Sequence, residues 1–181
     1  HGDSPMNCAC FRYGLFNRIC NALMIFCVCV ASSVRAEPKT IVAFGDSLTQ
    51  GYGLPADLGF VPKMGYWLGA QGVSVRMVNA GVSGDTTAGG LARLDWTLAE
   101  TADLVIVNLG SNDMLRGLDP RLTYDNLQKI MAKLHSKNIQ TLLIGHLAPL
   151  NYGKDYKKNY DQVFQQIAIE NDTEFYPYFF E

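Results

Sequence analysis

The sequence predicts an α/β fold, a parallel sheet of five strands covered by helices on both faces. Three observations carry this. From Thr40 to Tyr178, short apolar runs alternate strictly with stretches of helical apolar periodicity. The run from Leu104 to Leu109 is nearly continuously apolar, as a central strand buried on both faces must be. Three of the strands stop abruptly at glycine-containing polar loops, and parallel-sheet folds bind ligands at such carboxyl ends, near the point where strand order reverses.

Each element follows from its own pattern. Thr40 to Phe44 is the first strand, and a loop containing glycine and proline runs from Gly45 to Asp57. Phe60, Met64, Trp67 and Leu68 recur at helical spacing and give the next helix one apolar face. Val73, Val75, Met77 and Val78 form a second strand ending at Asn79. Ala80 to Thr87 is too glycine-rich for either periodic structure, with Thr86 or Thr87 set to cap a helix whose face is Leu91, Leu94 and Leu98. Leu104 to Leu109 is the third strand and ends in Gly110-Ser111-Asn112-Asp113. Asp119-Pro120 supplies a cap followed by proline at the first helical position, and Leu127, Ile130, Met131 and Leu134 mark the buried stripe. Gln140 to Ile144 is strand four. A loop from Gly145 to Gly153 precedes a helix with Tyr156, Tyr160, Val163, Phe164 and Ile167 on one face. Thr173 to Tyr178 is strand five, and Pro177 within it, having no N–H, assigns it to a sheet edge.

All five cysteines, Cys8, Cys10, Cys20, Cys27 and Cys29, precede the first strand, so the body holds neither a disulfide nor a thiolate metal site. The same segment carries Arg12 and Arg18, an apolar run from Ala22 to Val30, and small residues ending Val34-Arg35-Ala36. That order reads as a secretory leader beginning at Met6 and cut after Ala36, with a few residues upstream of it. The apolar run is well short of the roughly 20 residues a spanning helix needs. An uncleaved anchor is the alternative reading. The expectation is therefore an exported protein, periplasmic or secreted, with residues 37–181 as its domain and no membrane span after the cut. A net charge of −2 gives no reason to expect a nucleic-acid partner. No metal-ligand spacing or phosphate-cradling pattern is present, so no cofactor is expected.

The loops after strands one, two and three carry residue types suited to acyl transfer. That reaction needs a nucleophile, a base for its proton, and donors aimed at the oxygen that becomes negative. Ser47 is the candidate nucleophile. Its own N–H, the N–H of Gly84 and the side-chain amide of Asn112 are the candidate oxyanion hole. Gly-Asp-Ser is also ordinary turn chemistry, so the tetrapeptide alone is a weak signal.

Three ordered motifs make it specific. Gly45-Asp46-Ser47-Leu48 with Gly51-Tyr52-Gly53, Asn79 through Gly84-Asp85-Thr86, and Leu109-Gly110-Ser111-Asn112-Asp113 with Leu115-Arg116-Gly117 resemble the SGNH (GDSL) hydrolase superfamily. Leu91-Ala92-Arg93-Leu94 and Pro149-Leu150-Asn151-Tyr152-Gly153 bring the chain nearest to its secreted thioesterase I/protease I/lysophospholipase I group. The similarity covers essentially everything after Pro38. It implies a flavodoxin-like sheet of order 2-1-3-4-5 between two helical layers, Ser47 as nucleophile, and hydrolysis of small-molecule acyl esters or thioesters, lysophospholipids and aryl esters among them.

One departure stands out. The family takes its base and orienting acid from an Asp-x-x-His motif beyond the fifth strand, ahead of a closing helix. The sequence ends at Phe179-Phe180-Glu181, and neither residue has a counterpart in it. The expectation is thus a domain without its closing helix, opened at both ends as a fragment would be, and very weak hydrolysis. The competing reading is a non-catalytic acyl-chain or glycan binder. A further expectation is an apolar face exposed at Phe175, Tyr176, Tyr178, Phe179 and Phe180. Of the three histidines, His1 precedes the leader and His135 falls in the last turn of a helix, where a cation suits the dipole. His146 lies on the catalytic rim and is expected to line the pocket, with a surrogate base as the alternative reading. Asp46, Asp85 and Asp113 are expected to hydrogen-bond their own loops. Tyr152, Tyr156 and Tyr160 are expected to pack their helix.

Overall fold

β1 (Lys39–Gly45) lies between β2 (Val75–Gly81) and β3 (Leu104–Asn108), and the sheet continues through β4 (Gln140–Ile144) to β5 (Glu174–Tyr176). The order is β2-β1-β3-β4-β5 with every pair parallel, as expected. The computed structural model describes residues 37–98 and 102–179. The expected leader, its cut site, His1 and Phe180 lie outside them. Among the described residues, no helix is long and apolar enough to cross a membrane.

Helices join the strands: α1 (Ser47–Gln50), α2 (Phe60–Ala70), α3 (Thr87–Thr97), α4 (Ser111–Leu115), α5 (Pro120–Ser136) and α6 (Lys154–Glu170). Successive strand side chains alternate between faces, so β1 and β3 each feed two cores. Val42, Phe44, Val105 and Val107 meet Leu94 of α3, Leu127, Ile130 and Leu134 of α5, and Tyr160, Phe164 and Ile167 of α6. Ile41 and Ile106 face the other way, toward Phe60, Met64 and Leu68 of α2. Full burial of such a side chain stabilises by roughly 1.5–3 kcal/mol, which makes the first cluster the main source of stability. Both predicted caps form. Thr86 accepts from Gly89 N–H at 3.3 Å, and Asp119 accepts from Arg121 N–H at 2.9 Å with Pro120 at the first position.

Several boundaries differ from the sequence pattern, each for a tertiary reason. β2 starts at Val75 rather than Val73, which is 46 % exposed, and runs through Asn79 and Ala80 to Gly81. Pairing with β1, Lys39 to Val75 through Gly45 to Gly81, imposes those ends on residues with little strand preference. β1 gains Lys39 and Gly45 in the same ladder, while β3 stops at Asn108. β5 is shorter than expected, so Pro177 follows it instead of interrupting it, although the strand is indeed at the edge. Trp67 is 62 % exposed and does not belong to the buried face of α2, where Val61 is buried instead. Two regions read as loop contain one-turn helices, α1 and α4, and a 3-10 turn at Leu150–Tyr152 interrupts a third. The aromatic end of the chain is only partly exposed. Tyr176 and Tyr178 are open, but Phe175 packs on the first core and Phe179 on the second, edge-on to Phe60 with ring centres 5.5 Å apart.

Candidate active site

Ser47 begins a turn directly off the end of β1. The Asp46 carboxylate accepts the Leu48 N–H at 2.9 Å and so nucleates α1. Glycine is required at 45 by packing, because a Cβ there would overlap the Thr49 side chain and the carbonyl of Asn108. A rigid strand thus delivers Ser47, half-buried, to the sheet's carboxyl rim. Asp46 does more than cap its own loop. Its second oxygen accepts from the Ser111 hydroxyl and from Asn112 Nδ2, the latter at 3.3 Å, so it ties the first loop to the third. The carboxyl is fully buried, and burial pushes its pKa up, opposed by the Ser111 hydroxyl and the Leu48 N–H.

Asn112 is also the link to the second loop, because Nδ2 donates to the carbonyl of Asp85 at 2.9 Å. Gly84 precedes that residue with φ +81°, a conformation open to glycine, and its carbonyl accepts from Arg116 Nη2 at 2.8 Å. Asp113, expected to serve its own loop, instead accepts from the Thr87 N–H at 2.9 Å, the Thr87 hydroxyl at 2.5 Å and the Thr123 hydroxyl at 3.3 Å. It fixes the starts of α3 and α5 around α4. Beneath α4, the buried Tyr160 hydroxyl donates to the Gly110 carbonyl at 2.7 Å. Tyr152, Tyr156 and Tyr160 do stack along one side of α6 and its approach, with ring centres 5.2 and 5.9 Å apart.

Ser111, Arg93 and Arg116 escaped the sequence reading as site-building residues. Arg93 donates to Asp85 at 2.5 Å and to the Gly45 carbonyl at 2.9 Å, with its guanidinium 4.3 Å from the centre of the Phe44 ring. A lone arginine among the leucines of a buried helical stripe was the available signal.

Ser47 and Asn112 line one cavity of about 310 Å³ whose other walls include Leu48, Met114, Leu115 and His146. Gly84 is not in that wall and joins the group through Asp85 and Arg116. The structure therefore brings the three loops together, with Asn112 as their common contact. His146 lines the cavity as expected. It is 6 % exposed, its Nε2 has no hydrogen-bond partner, and burial lowers its pKa to about 4, so the ring is neutral at pH 7. Its ring meets Phe164 edge-on at 5.4 Å. His135 is at the other end of the molecule. It lines a separate cavity with Leu104, Gln140 and Glu174, the first residues of β3, β4 and β5. Among the described residues, no group of three or more metal-ligating side chains lies together.

Comparison with known proteins bears on the family and the fold. Residues 43–180 match the model of the GDSL-like Lipase/Acylhydrolase family. The chain is 38 % identical over 148 residues to the esterase TesA of Pseudomonas aeruginosa, covering 81 % of this chain and 74 % of that protein. It is 33 % identical over 169 residues to thioesterase 1/protease 1/lysophospholipase L1 of Escherichia coli K12, covering 92 % and 79 %. Its fold superposes on the crystal structure of AlinE4, an SGNH-hydrolase family esterase, with a TM-score of 0.77 and 41 % identity, covering 80 % of this chain and 78 % of the other.

Proposed function

The chain belongs to the GDSL-like Lipase/Acylhydrolase family, and from that premise we propose that it is built to transfer acyl groups from esters and thioesters to water, with Ser47 as nucleophile. In this reading Ser47 Oγ attacks the acyl carbon as a base takes its proton. The carbonyl oxygen becomes negative and meets the N–H of Ser47, the N–H of Gly84 and Asn112 Nδ2. Collapse expels the alcohol or thiol with a proton, and water then hydrolyses the acyl-serine ester. The observation that carries this reading is the position of Asn112, which shares a cavity with Ser47 while its amide holds the loop of Gly84 through Asp85. Its other contact, to Asp46 at 3.3 Å, is long, and a full oxyanion would compete well for that hydrogen.

Lysophospholipids are among the proposed substrates, in keeping with the name of the Escherichia coli relative. We also read residues 1–36 as leader and upstream residues, and 37–181 as the exported hydrolase domain. Among the described residues, His146 is the histidine that lines the Ser47 cavity, and His135 lines another. His146 is the histidine nearest to the task, but a buried imidazole with a pKa of about 4 is a poor proton acceptor at pH 7. Without its histidine, a triad enzyme loses on the order of a millionfold in turnover, yet keeps roughly 10³ to 10⁴ over water. The test is turnover of p-nitrophenyl acyl esters by the 181-residue chain. Weak hydrolysis is expected, and because triad members act as a unit Ser47→Ala is expected to lower it little further. Fast hydrolysis abolished by Ser47→Ala would refute the missing base, and an acyl group found by mass spectrometry on a residue other than Ser47 would refute the nucleophile.

The apolar walls of the cavity favour one second reading, an acyl-chain binder that retains the pocket without the chemistry. Intact mass after incubation with a p-nitrophenyl acyl ester separates the two, since a binder takes up the acyl chain without forming an acyl-serine at Ser47.

A further inference from the structure

Large apolar side chains are exposed in two settings. Tyr66, Trp67 and Trp96 stand singly on the sides of α2 and α3, whereas Tyr52 (78 %), Leu54 (55 %), Leu58, Leu115 (60 %), Leu147 and Leu150 (62 %) stand on segments that follow the carboxyl ends of β1, β3 and β4. The opposite rim shows Val73, ahead of β2, and Ile169, at the end of α6. The loops are organised to present these residues. Gly51 and Gly59 approach so closely that a Cβ on Gly51 would lie 3.4 Å from the Gly59 Cα, which closes the neck of the loop and projects Tyr52, Leu54 and Leu58. On the other side, the Tyr152 hydroxyl donates to the Leu115 carbonyl at 3.0 Å and joins the third loop to the fourth. Between them opens the cavity of Ser47, and Leu115 and Leu147 belong both to its wall and to the exposed rim. An apolar surface continuous with an apolar cavity that contains the nucleophile is a route for an acyl chain that starts outside the protein.

We propose that this rim docks on the surface of a zwitterionic phospholipid layer and draws an acyl chain from it directly into the Ser47 cavity. The inference rests on the acyl-hydrolase reading of that cavity and adds the physical state of the substrate. Charge selects the kind of surface. Residues 145–153 contain no charged side chain, Asp57 is the charged residue of 51–59, Arg116 beside Leu115 donates to the Gly84 carbonyl, and Asp85 and Asp119 are paired with Arg93 and Arg121, so these segments carry no excess of positive charge. With a net charge of −2 for the chain, attraction to anionic lipid is not available, and adhesion comes from apolar side chains entering the headgroup boundary.

The test is amide hydrogen exchange of the whole 181-residue chain with and without phosphatidylcholine vesicles. Amides in 51–58 and 147–152 are expected to slow by about fivefold or more on vesicle addition, with no change in 62–70 or 91–97. The double variant Leu54→Asp/Leu150→Asp, at residues outside the cavity wall, loses that protection, and Trp96→Asp keeps it. Ser47→Ala keeps it as well, so a failure of the catalytic reading leaves the docking result standing. The proposal is overturned if protection is confined to other segments or to residues 1–36, if it requires anionic lipid, or if the same loops become protected without vesicles as protein concentration rises, which would make the partner a second copy.

Discussion

Arg93 Nη2 donates to the carbonyl of Gly45 at 2.9 Å while its Nε donates to Asp85 at 2.5 Å, so one guanidinium joins the segment leading into Ser47 to the segment leading out of Gly84. The Asp85 and Arg93 side chains are 16 % and 18 % exposed, and the guanidinium also covers the Phe44 ring. Charge-assisted bonds in such a setting are worth more than a surface pair.

Arg93→Ala is therefore expected to lower stability by about 2 kcal/mol, measured by urea unfolding. Arg93→Lys recovers only part of this, because a lysine ammonium lacks the planar fork that reaches both acceptors. An unchanged unfolding midpoint in Arg93→Ala would contradict the clamp.

His146 gives the stability a pH dependence of known sign. Its folded pKa of about 4 lies below the ordinary 6.5, so as pH falls below 6.5 the unfolded chain binds a proton that the folded chain refuses. Stability from this residue is complete above pH 6.5 and is lost between there and pH 4, by about 3 kcal/mol. His146→Leu is expected to remove that loss, so its stability relative to the parent rises on going from pH 7.5 to pH 4.5. Equal differences at the two pH values in denaturant titrations would show that the imidazole is not held neutral.

Asn112→Ala is expected to cut the residual ester hydrolysis by about 10² to 10³, read from kcat. A loss appearing only in KM would assign Asn112 to substrate binding.

Gly45→Ala and Gly84→Ala separate packing from conformation. At Gly45 the added methyl meets Thr49 and the Asn108 backbone, and a loss of about 3 kcal/mol or more is expected. At Gly84 the nearest atom is Arg116 Nη2 at 3.7 Å, and only the positive φ resists substitution, at about 1 kcal/mol. Thermal unfolding of both variants checks the order, and Gly84→Ala losing more would reverse the assignment.

The layout of elements was legible because it rests on local pattern. Leu104 to Leu109 announces a central strand by being nearly continuously apolar, and Asp119-Pro120 announces the start of α5 by its capping chemistry. The one-turn helices α1 and α4 were not legible. Each follows from a glycine and an acid that also signal a loop, and what turns them helical is a fit against neighbours, such as Thr49 under Gly45 or Tyr160 under Gly110. Trp67 shows the opposite error, an apolar residue at helical spacing that the sheet leaves uncovered.

By itself the sequence determined the parallel sheet, its strand order through family resemblance, and the three loops that carry Ser47, Gly84 and Asn112. These depend on periodicity and on motifs contiguous in the chain. Only the tertiary structure decided what holds those loops to one another. Asp46 reaches Ser111 and Asn112, Asp113 reaches Thr87 and Thr123, and Arg93 reaches Gly45. Most of these contacts join residues distant in sequence, and a polar side chain excluded from water must find its partner wherever packing has placed one.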